Sequence, residues 1–229
     1  YFGRRDFICK SFVTTDMLNV LAEKYGVKIY DDLMVGFKFI GKKILQKESL
    51  GEDFLAGFEE SLGGLVGDQT RDKDAATIGL IISELAAELK LKNQTLGEKL
   101  DQIYAENGYF VEKTESVEFV GAEGFEKMQE IMQKIRIGNK NFGALKMRDF
   151  ENLSELDFST NKKNSFKMLE NGNAVSFIFD SEDKRITIRP SGTEPKMKIY
   201  AQWRFENKQD CVKIENILSD FKEKILNEC

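Results

Sequence analysis

The hydrophobic pattern of this chain changes period along its length, and that change limits the fold more than any other feature. Up to Phe110, strand-like and helix-like segments alternate. Phe7–Val13, Val27–Tyr30 and Asp53–Ala56 read as short strands. Between them, Asp16–Tyr25 sets Met17, Val20, Leu21 and Tyr25 on one helical face, with Gly26 where a C-terminal cap belongs. A second helix carries Phe39, Ile40, Ile44 and Leu45. A longer one, from Asp72 to Lys90, is expected to turn Ile78, Ile81, Leu85 and Leu89 inward, and Leu96–Glu106 forms a further helix ahead of Gly108. Such alternation predicts an α/β fold with a mostly parallel sheet flanked by helices in three α/β/α layers.

Beyond Phe110 the strands cluster instead. Ser116–Val120, Ala174–Phe179, Arg185–Arg189 and Met197–Trp203 lie between two helices. One opens at Gly121 and carries Phe125, Met128, Met132 and Ile135; the other aligns Ile214, Ile217, Leu218, Phe221 and Ile225 in a stripe. This order predicts an α+β domain with an antiparallel sheet packed on helices. The charged stretch after Phe110 marks the boundary, giving domains 1–112 and 113–229.

Composition then removes whole classes of function. The 229 residues include no histidine, which excludes His-based metal sites, Ser-His-Asp triads and Cys-His dyads within this chain. A formal net charge of −5 argues against nucleic acid or an anionic membrane surface as partner. No apolar run approaches the roughly 18 residues of a membrane span. Cys9, Cys211 and Cys229 are scattered and odd in number, as expected of reduced thiols in a cytoplasmic protein. The chain opens Tyr-Phe-Gly-Arg-Arg-Asp without methionine, so we read it as a piece of a longer polypeptide.

Its 2 prolines, Pro190 and Pro195, both fall in Arg189-Pro-Ser-Gly-Thr-Glu-Pro-Lys196. Period-two runs flank this segment, so it reads mainly as a connection between strands. Its chemistry suits a phosphate dianion. Arg189 offers a planar fork of donors, Ser191 and Thr193 offer hydroxyls, and Gly192 lets backbone N–H groups approach an anion. The prolines restrict the loop and so reduce the entropy lost on binding. Arg185, Arg189, Lys196 and Lys198 outweigh Glu194, an excess of cations inside an acidic chain. The same residue types also suit an ordinary turn.

A second candidate is Gly57-Phe-Glu-Glu-Ser-Leu-Gly-Gly-Leu-Val-Gly67, which follows a strand. Ligands of open parallel sheets bind at the carboxyl ends of strands. Glu59 can accept hydrogen bonds from two sugar hydroxyls, and Ser61 can both donate and accept. Neighbouring Glu59 and Glu60 diverge, which suits them poorly to act as an acid–base pair. A solvated glycine loop is the plain alternative.

The string Arg-Pro-Ser-Gly-Thr-Glu-Pro-Lys resembles the phosphate-binding loop of the α-D-phosphohexomutases, the phosphoglucomutase and phosphomannomutase family. Gly-Phe-Glu-Glu-Ser, with Arg71-Asp-Lys-Asp74 after it, resembles the sugar-recognition loop of that family's third domain. Val35-Gly-Phe-Lys38 resembles its Thr-Gly-Phe-Lys loop, with valine in place of threonine and hence one hydroxyl fewer. The resemblance implies that Arg189, Ser191, Gly192 and Thr193 hold the unreactive phosphate, with Lys198 as a further cation. It implies that Glu59 and Ser61 contact sugar hydroxyls, that Gly36 and Lys38 belong to the sugar site, and that Lys73, beside Arg71, assists proton transfer. A desolvated lysine has its pKa lowered toward acid–base use, whereas a surface lysine at a helix start is the bland reading.

The resemblance runs from Phe7 to about Lys224 and covers only the last two of the family's four domains. The family's phosphoserine loop, Ser-His-Asn, is absent because histidine is absent, and its Asp-x-Asp-x-Asp magnesium loop has only Asp72-Lys-Asp74 as a partial echo. No metal ligand is therefore assigned. The implied parent interconverts a sugar 1-phosphate and 6-phosphate, with glucose favoured, using Mg2+ and a sugar 1,6-bisphosphate intermediate or activator. This half would supply the sugar clamp and distal phosphate socket, partnered by the missing N-terminal domains, and would be inactive alone. The alternatives are a standalone, non-catalytic sugar-phosphate-binding protein and a mutase preferring mannose or pentose phosphates.

Overall fold

The computed structural model describes residues 5–119, 121–138, 140–192 and 194–228, which divide into two compact units after Tyr109. The first contains β1 (Asp6–Ser11), α1 (Met17–Tyr25), β2 (Lys28–Leu33), α2 (Phe37–Glu48), β3 (Asp53–Glu59), β4 (Gly63–Val66), α3 (Ala75–Leu91) and α4 (Leu96–Asn107). Its sheet has the order β2-β1-β3-β4. β1 runs parallel to both β2 and β3, because a helix crosses over after each of the first two strands. β4 runs antiparallel to β3, from which only Glu60–Leu62 separates it. Glycines 63 and 64 weaken the strand signal of β4, so the sequence alone predicts a loop where the structure has a strand.

Burial of Phe7, Cys9 and Phe54 on one face of this sheet holds α2 through Ile40 and Ile44. The Phe7 ring lies 5.5 Å from that of Tyr30 and 5.6 Å from that of Phe54. A Cβ on Gly57 would come within 2.8 Å of Ile40, so the bare backbone there lets α2 close on the sheet. Burial pushes the Cys9 thiol up to about 12. α1 ends as expected on Gly26, at φ 68°, and α4 begins with a capping box of Thr95 and Glu98.

The inward face expected for α3 is only partly covered. Leu89 is buried, but Ile81 is 37% exposed and Leu80 and Ile82 more so. The reason is geometric: this 17-residue helix packs beside β4, an edge strand of 4 residues, and extends past it.

The second unit holds β5 (Tyr109–Glu118), α5 (Gly121–Ile137), β6 (Lys146–Asp149), β7 (Ser154–Asp157), β8 (Lys162–Ser165), β9 (Val175–Ile178), β10 (Lys184–Pro190), β11 (Lys196–Phe205), a 3-10 turn over Lys208–Val212, and α6 (Lys213–Glu228). The sheet order is β5-β11-β10-β9-β6-β7-β8, with antiparallel pairing from β11 through β8. β6, β7 and β8 carry no clear strand signal in the sequence because they are short and mostly polar; Lys162–Ser165 is exposed throughout. One face of β9–β11 carries Phe177, Ile186, Ile188, Met197 and Ile199, all 0% exposed. Phe221 of α6 meets Phe177 at 5.4 Å between ring centres, and Met128, Met132 and Ile135 of α5 are buried with it. Phe125, expected on that stripe, is 38% exposed near the start of α5 and only partly covered. Among the described residues no helix is long and apolar enough to cross a membrane.

Ile188→Ala, which removes a fully buried side chain, should lower stability by about 2–5 kcal/mol in urea unfolding. Cys9 should resist iodoacetamide at about pH 8 in the folded chain and react only after denaturation.

Candidate functional site

Parallel pairing through β1 brings the carboxyl ends of β2 and β3 to one edge of the first sheet, where such sheets place ligands. Glu59 is the last residue of β3 and Gly36 the N-cap of α2. The Glu59 carboxylate accepts the Gly36 N–H at 2.6 Å, with its side chain 4% exposed. Gly36 has φ 135°, a conformation that only glycine adopts readily, so the chain can present that N–H without strain. Ser61 is exposed at the hairpin tip beside Leu62, whose φ of 59° is the left-handed position that glycine usually takes in three-residue hairpins.

Lys73 reaches this carboxylate from outside the hairpin. The Asp74 N–H donates to the Gly64 carbonyl at 2.9 Å and ties the segment before α3 to β4. Lys73 then lies across Gly63, and its Nζ stands 3.7 Å from Glu59 Oε2 and 3.1 Å from Asp72 Oδ1. The ammonium also lies 5.1 Å from the centre of the Phe37 ring, within cation–π range. The sequence alone does not mark Phe37 and Gly63 as site residues. Hairpin register, Glu59 opposite Gly63, was the signal that could have drawn attention to the second.

The adjacent carboxylates serve local structure. Asp72 is held below its usual range first by the Lys73 N–H and then by the Lys73 ammonium. Asp74 caps α3, accepting from the N–H groups of Ala76 and Thr77 at 3.0 and 3.2 Å and from the Thr77 hydroxyl. That hydroxyl is the main cause of its lowered pKa. Arg71 does not join Lys73: its guanidinium binds Glu48 at 2.9 and 3.1 Å and the carbonyls of Asp68 and Thr70. Lys38 lies on the exposed side of α2, with Nζ 4.9 Å from the centre of the Phe39 ring.

In the second unit, strand alternation places the cations. With Ile186 and Ile188 turned into the core, Arg189 stands on the opposite face of β10, directly across from Lys198 on β11. Among the described residues neither cation has an ion-pair partner. The loop that follows is closed by the Ser191 N–H on the Lys196 carbonyl at 2.7 Å. The Glu194 N–H donates to Ser191 Oγ at 3.2 Å, and the Phe119 N–H donates to the Pro195 carbonyl at 2.8 Å. Gly192 is exposed, with no atom within 4 Å of where its Cβ would stand. Thr193 lies outside the described residues. The structure therefore gathers Glu59, Gly36 and Lys73 in one group and Arg189, Lys198 and Ser191 in another.

Magnesium does not fit the residues present. Among the described residues no three Cys, Asp or Glu side chains converge, and Asp72 and Asp74 are both engaged as above.

In class, then, the chain is an α/β protein of two sheet-and-helix units. Residues 3–107 match the family described as "phosphoglucomutase/phosphomannomutase, alpha/beta/alpha domain III". Over 210 residues, 90% of this chain, it is 32% identical to the phosphoglucomutase of Staphylococcus aureus strain USA300, covering 37% of that protein. It is 31% identical to the phosphoglucomutase of Staphylococcus saprophyticus over 96% of this chain and 39% of that one. In fold it is similar to pp63/parafusin (phosphoglucomutase) from Paramecium, with a TM-score of 0.64 at 22% identity over 94% of this chain and 38% of that one. It is likewise similar to a phosphoglucomutase/phosphomannomutase family protein of Burkholderia thailandensis, with a TM-score of 0.53 at 13% identity over 95% and 36% of the two chains. Residues 3–107 thus carry the third domain of the phosphoglucomutase/phosphomannomutase family, and the chain spans well under half the length of these relatives.

Asp74→Asn should expose the worth of the capping charge. A lowered folded-state pKa means that the charge stabilises above the unfolded pKa and ceases to do so as pH falls through the folded one. The variant should be less stable than the parent at neutral pH, and their thermal midpoints should converge in acid.

Proposed function

We propose that this chain is the C-terminal half of a hexose-phosphate mutase that interconverts sugar 1-phosphate and 6-phosphate, with glucose the favoured sugar. The observation that carries the reading is the pairing of Arg189 with Lys198 across β10 and β11 at the head of the Ser191–Gly192 loop. A planar guanidinium beside an ammonium, both lacking ion-pair partners among the described residues, suits a phosphate dianion. Similarity to proteins named phosphoglucomutase supports the choice of substrate class.

In this reading Arg189, Lys198, Ser191, Gly192 and Thr193 grip the phosphate that does not react. Glu59 and Ser61 accept and donate to sugar hydroxyls, with Gly36 holding the carboxylate in place and Lys38 at the margin. Lys73 moves a proton at the reacting hydroxyl, with Arg71 bracing its segment against α2. Phosphoryl transfer rests on positioning and charge neutralisation, so a half-site of this kind contributes orientation more than bond chemistry. The phosphoserine nucleophile, and the residues for the magnesium that neutralises charge at the transferring phosphoryl, belong to the remainder of the parent. The reaction there passes through a sugar 1,6-bisphosphate, and the whole operates in the cytoplasm.

The isolated chain should show no mutase turnover in a coupled glucose 1-phosphate assay, and measurable turnover by purified chain would contradict the division of labour. In the complete enzyme, Arg189→Ala removes a charge-assisted phosphate contact and should raise KM for the hexose phosphate about 10- to 100-fold. An unchanged KM would reject the phosphate-loop assignment. A complete polypeptide with no turnover on any hexose or pentose phosphate, yet binding them, would favour a non-catalytic sugar-phosphate-binding role.

A further inference from the structure

We infer that Gly63 and Phe37 are positioning residues that hold Lys73 against Glu59, an inference that rests on the proton-transfer reading of Lys73. In the β3–β4 hairpin Gly63 stands directly opposite Glu59. Directly opposed residues of an antiparallel pair project from the same face, so a side chain at 63 would stand beside the Glu59 carboxylate. The lysine stem occupies that place instead. A Cβ on Gly63 would lie 2.2 Å from Lys73 Cδ and 2.8 Å from Lys73 Cγ, separations that no packed side chain tolerates. Any residue but glycine must therefore lift Lys73 out of the slot and carry its Nζ away from Glu59 Oε2, now at 3.7 Å. Phe37 bounds the other side, with its ring centre 5.1 Å from the same Nζ and its side chain buried.

The absence of a side chain at 63 is not explained by backbone need. Gly36, Gly51 and Gly67 have positive φ, but Gly63 does not, so alanine fits its conformation. Glycine within a strand is less favourable than alanine, so a purely structural requirement would run the other way. What the bare Cα provides is room for the lysine. Without the slot, a 44%-exposed lysine side chain would have solvent rather than the buried carboxylate as its easier course. A general acid or base acts only from hydrogen-bond reach of the proton it moves, so geometry at this point decides rate more than affinity.

A double-mutant cycle in the complete mutase polypeptide tests this. Lys73→Ala should lower kcat on the order of 100-fold. Gly63→Ala should lower kcat about tenfold while KM for glucose 1-phosphate stays within about twofold and the thermal midpoint does not fall. The pair Gly63→Ala with Lys73→Ala should be within about twofold of Lys73→Ala alone, because a displaced lysine and a missing one lose the same interaction. If Gly63→Ala lowers the thermal midpoint by more than about 5 °C, Phe37→Leu replaces it in the cycle, with the same lack of additivity expected. Multiplicative losses, or full activity in Gly63→Ala, would overturn the positioning role alone. Full activity in Lys73→Ala would overturn both this role and the proton-transfer reading beneath it.

Discussion

Burial of Ile186, Ile188, Met197 and Ile199 against α5 and α6 leaves β10 and β11 no freedom over where their other side chains go. A strand alternates faces residue by residue, so a one-residue slip would drive Arg189 and Lys198 into the core and bring the isoleucines out. The cross-strand placing of the two cations is thus a by-product of hydrophobic packing, enforced by several fully buried side chains. The same logic governs the first unit on a smaller scale. Packing of Phe7, Phe54 and α2 fixes the register of β1 and β3, and with it the position at which Glu59 leaves the sheet.

Glycine does different work at three points of that first unit. Gly57 admits the Ile40 side chain and lets a helix approach the sheet. Gly36 takes a φ of 135° and turns its N–H onto the Glu59 carboxylate. Gly63 leaves a slot for the Lys73 stem beside that same carboxylate. Only the second depends on the conformational freedom of glycine; the others depend on the volume of a missing methyl group. A glycine-rich segment that reads as a loop is here mostly a hairpin in which Gly57 and Gly63 are spaces for particular neighbours.

Charge is divided between groups that close local structure and groups left to face outward. Asp74 caps α3, Asp72 binds Lys73, and Arg71 clasps Glu48. These contacts hold the segment from 68 to 74, which delivers Lys73 to the hairpin. Arg136 similarly joins α5 to the end of β6 through Asp149. The exposed pairs Asp72–Lys73 and Arg71–Glu48 contribute little each to stability, so their value lies in orientation. Arg189 and Lys198, by contrast, stand side by side with no carboxylate to offset them among the described residues, an arrangement that favours a multiply charged anion.

Much of the fold was legible in the residues. Strands with period-two apolar alternation, such as Arg185–Arg189 and Met197–Trp203, and helices with apolar stripes, such as that of Phe221 and Ile225, announced themselves because burial imposes its period on sequence. β4, β6, β7 and β8 did not, since glycine or polar residues fill them and only pairing with neighbours makes them strands. The fate of Ile81 was hidden for a related reason: helical periodicity reveals a stripe but not the size of the surface available to cover it. For the candidate site, residue types and their order marked Glu59 and the Arg189 loop, and the family resemblance marked Lys73, without help from structure. That Lys73 rather than Arg71 meets Glu59, and that it does so across a bare Cα at Gly63, was decided by tertiary contacts alone. Those contacts join β3, β4 and the segment before α3, and no local pattern records the distance between residues so separated in sequence.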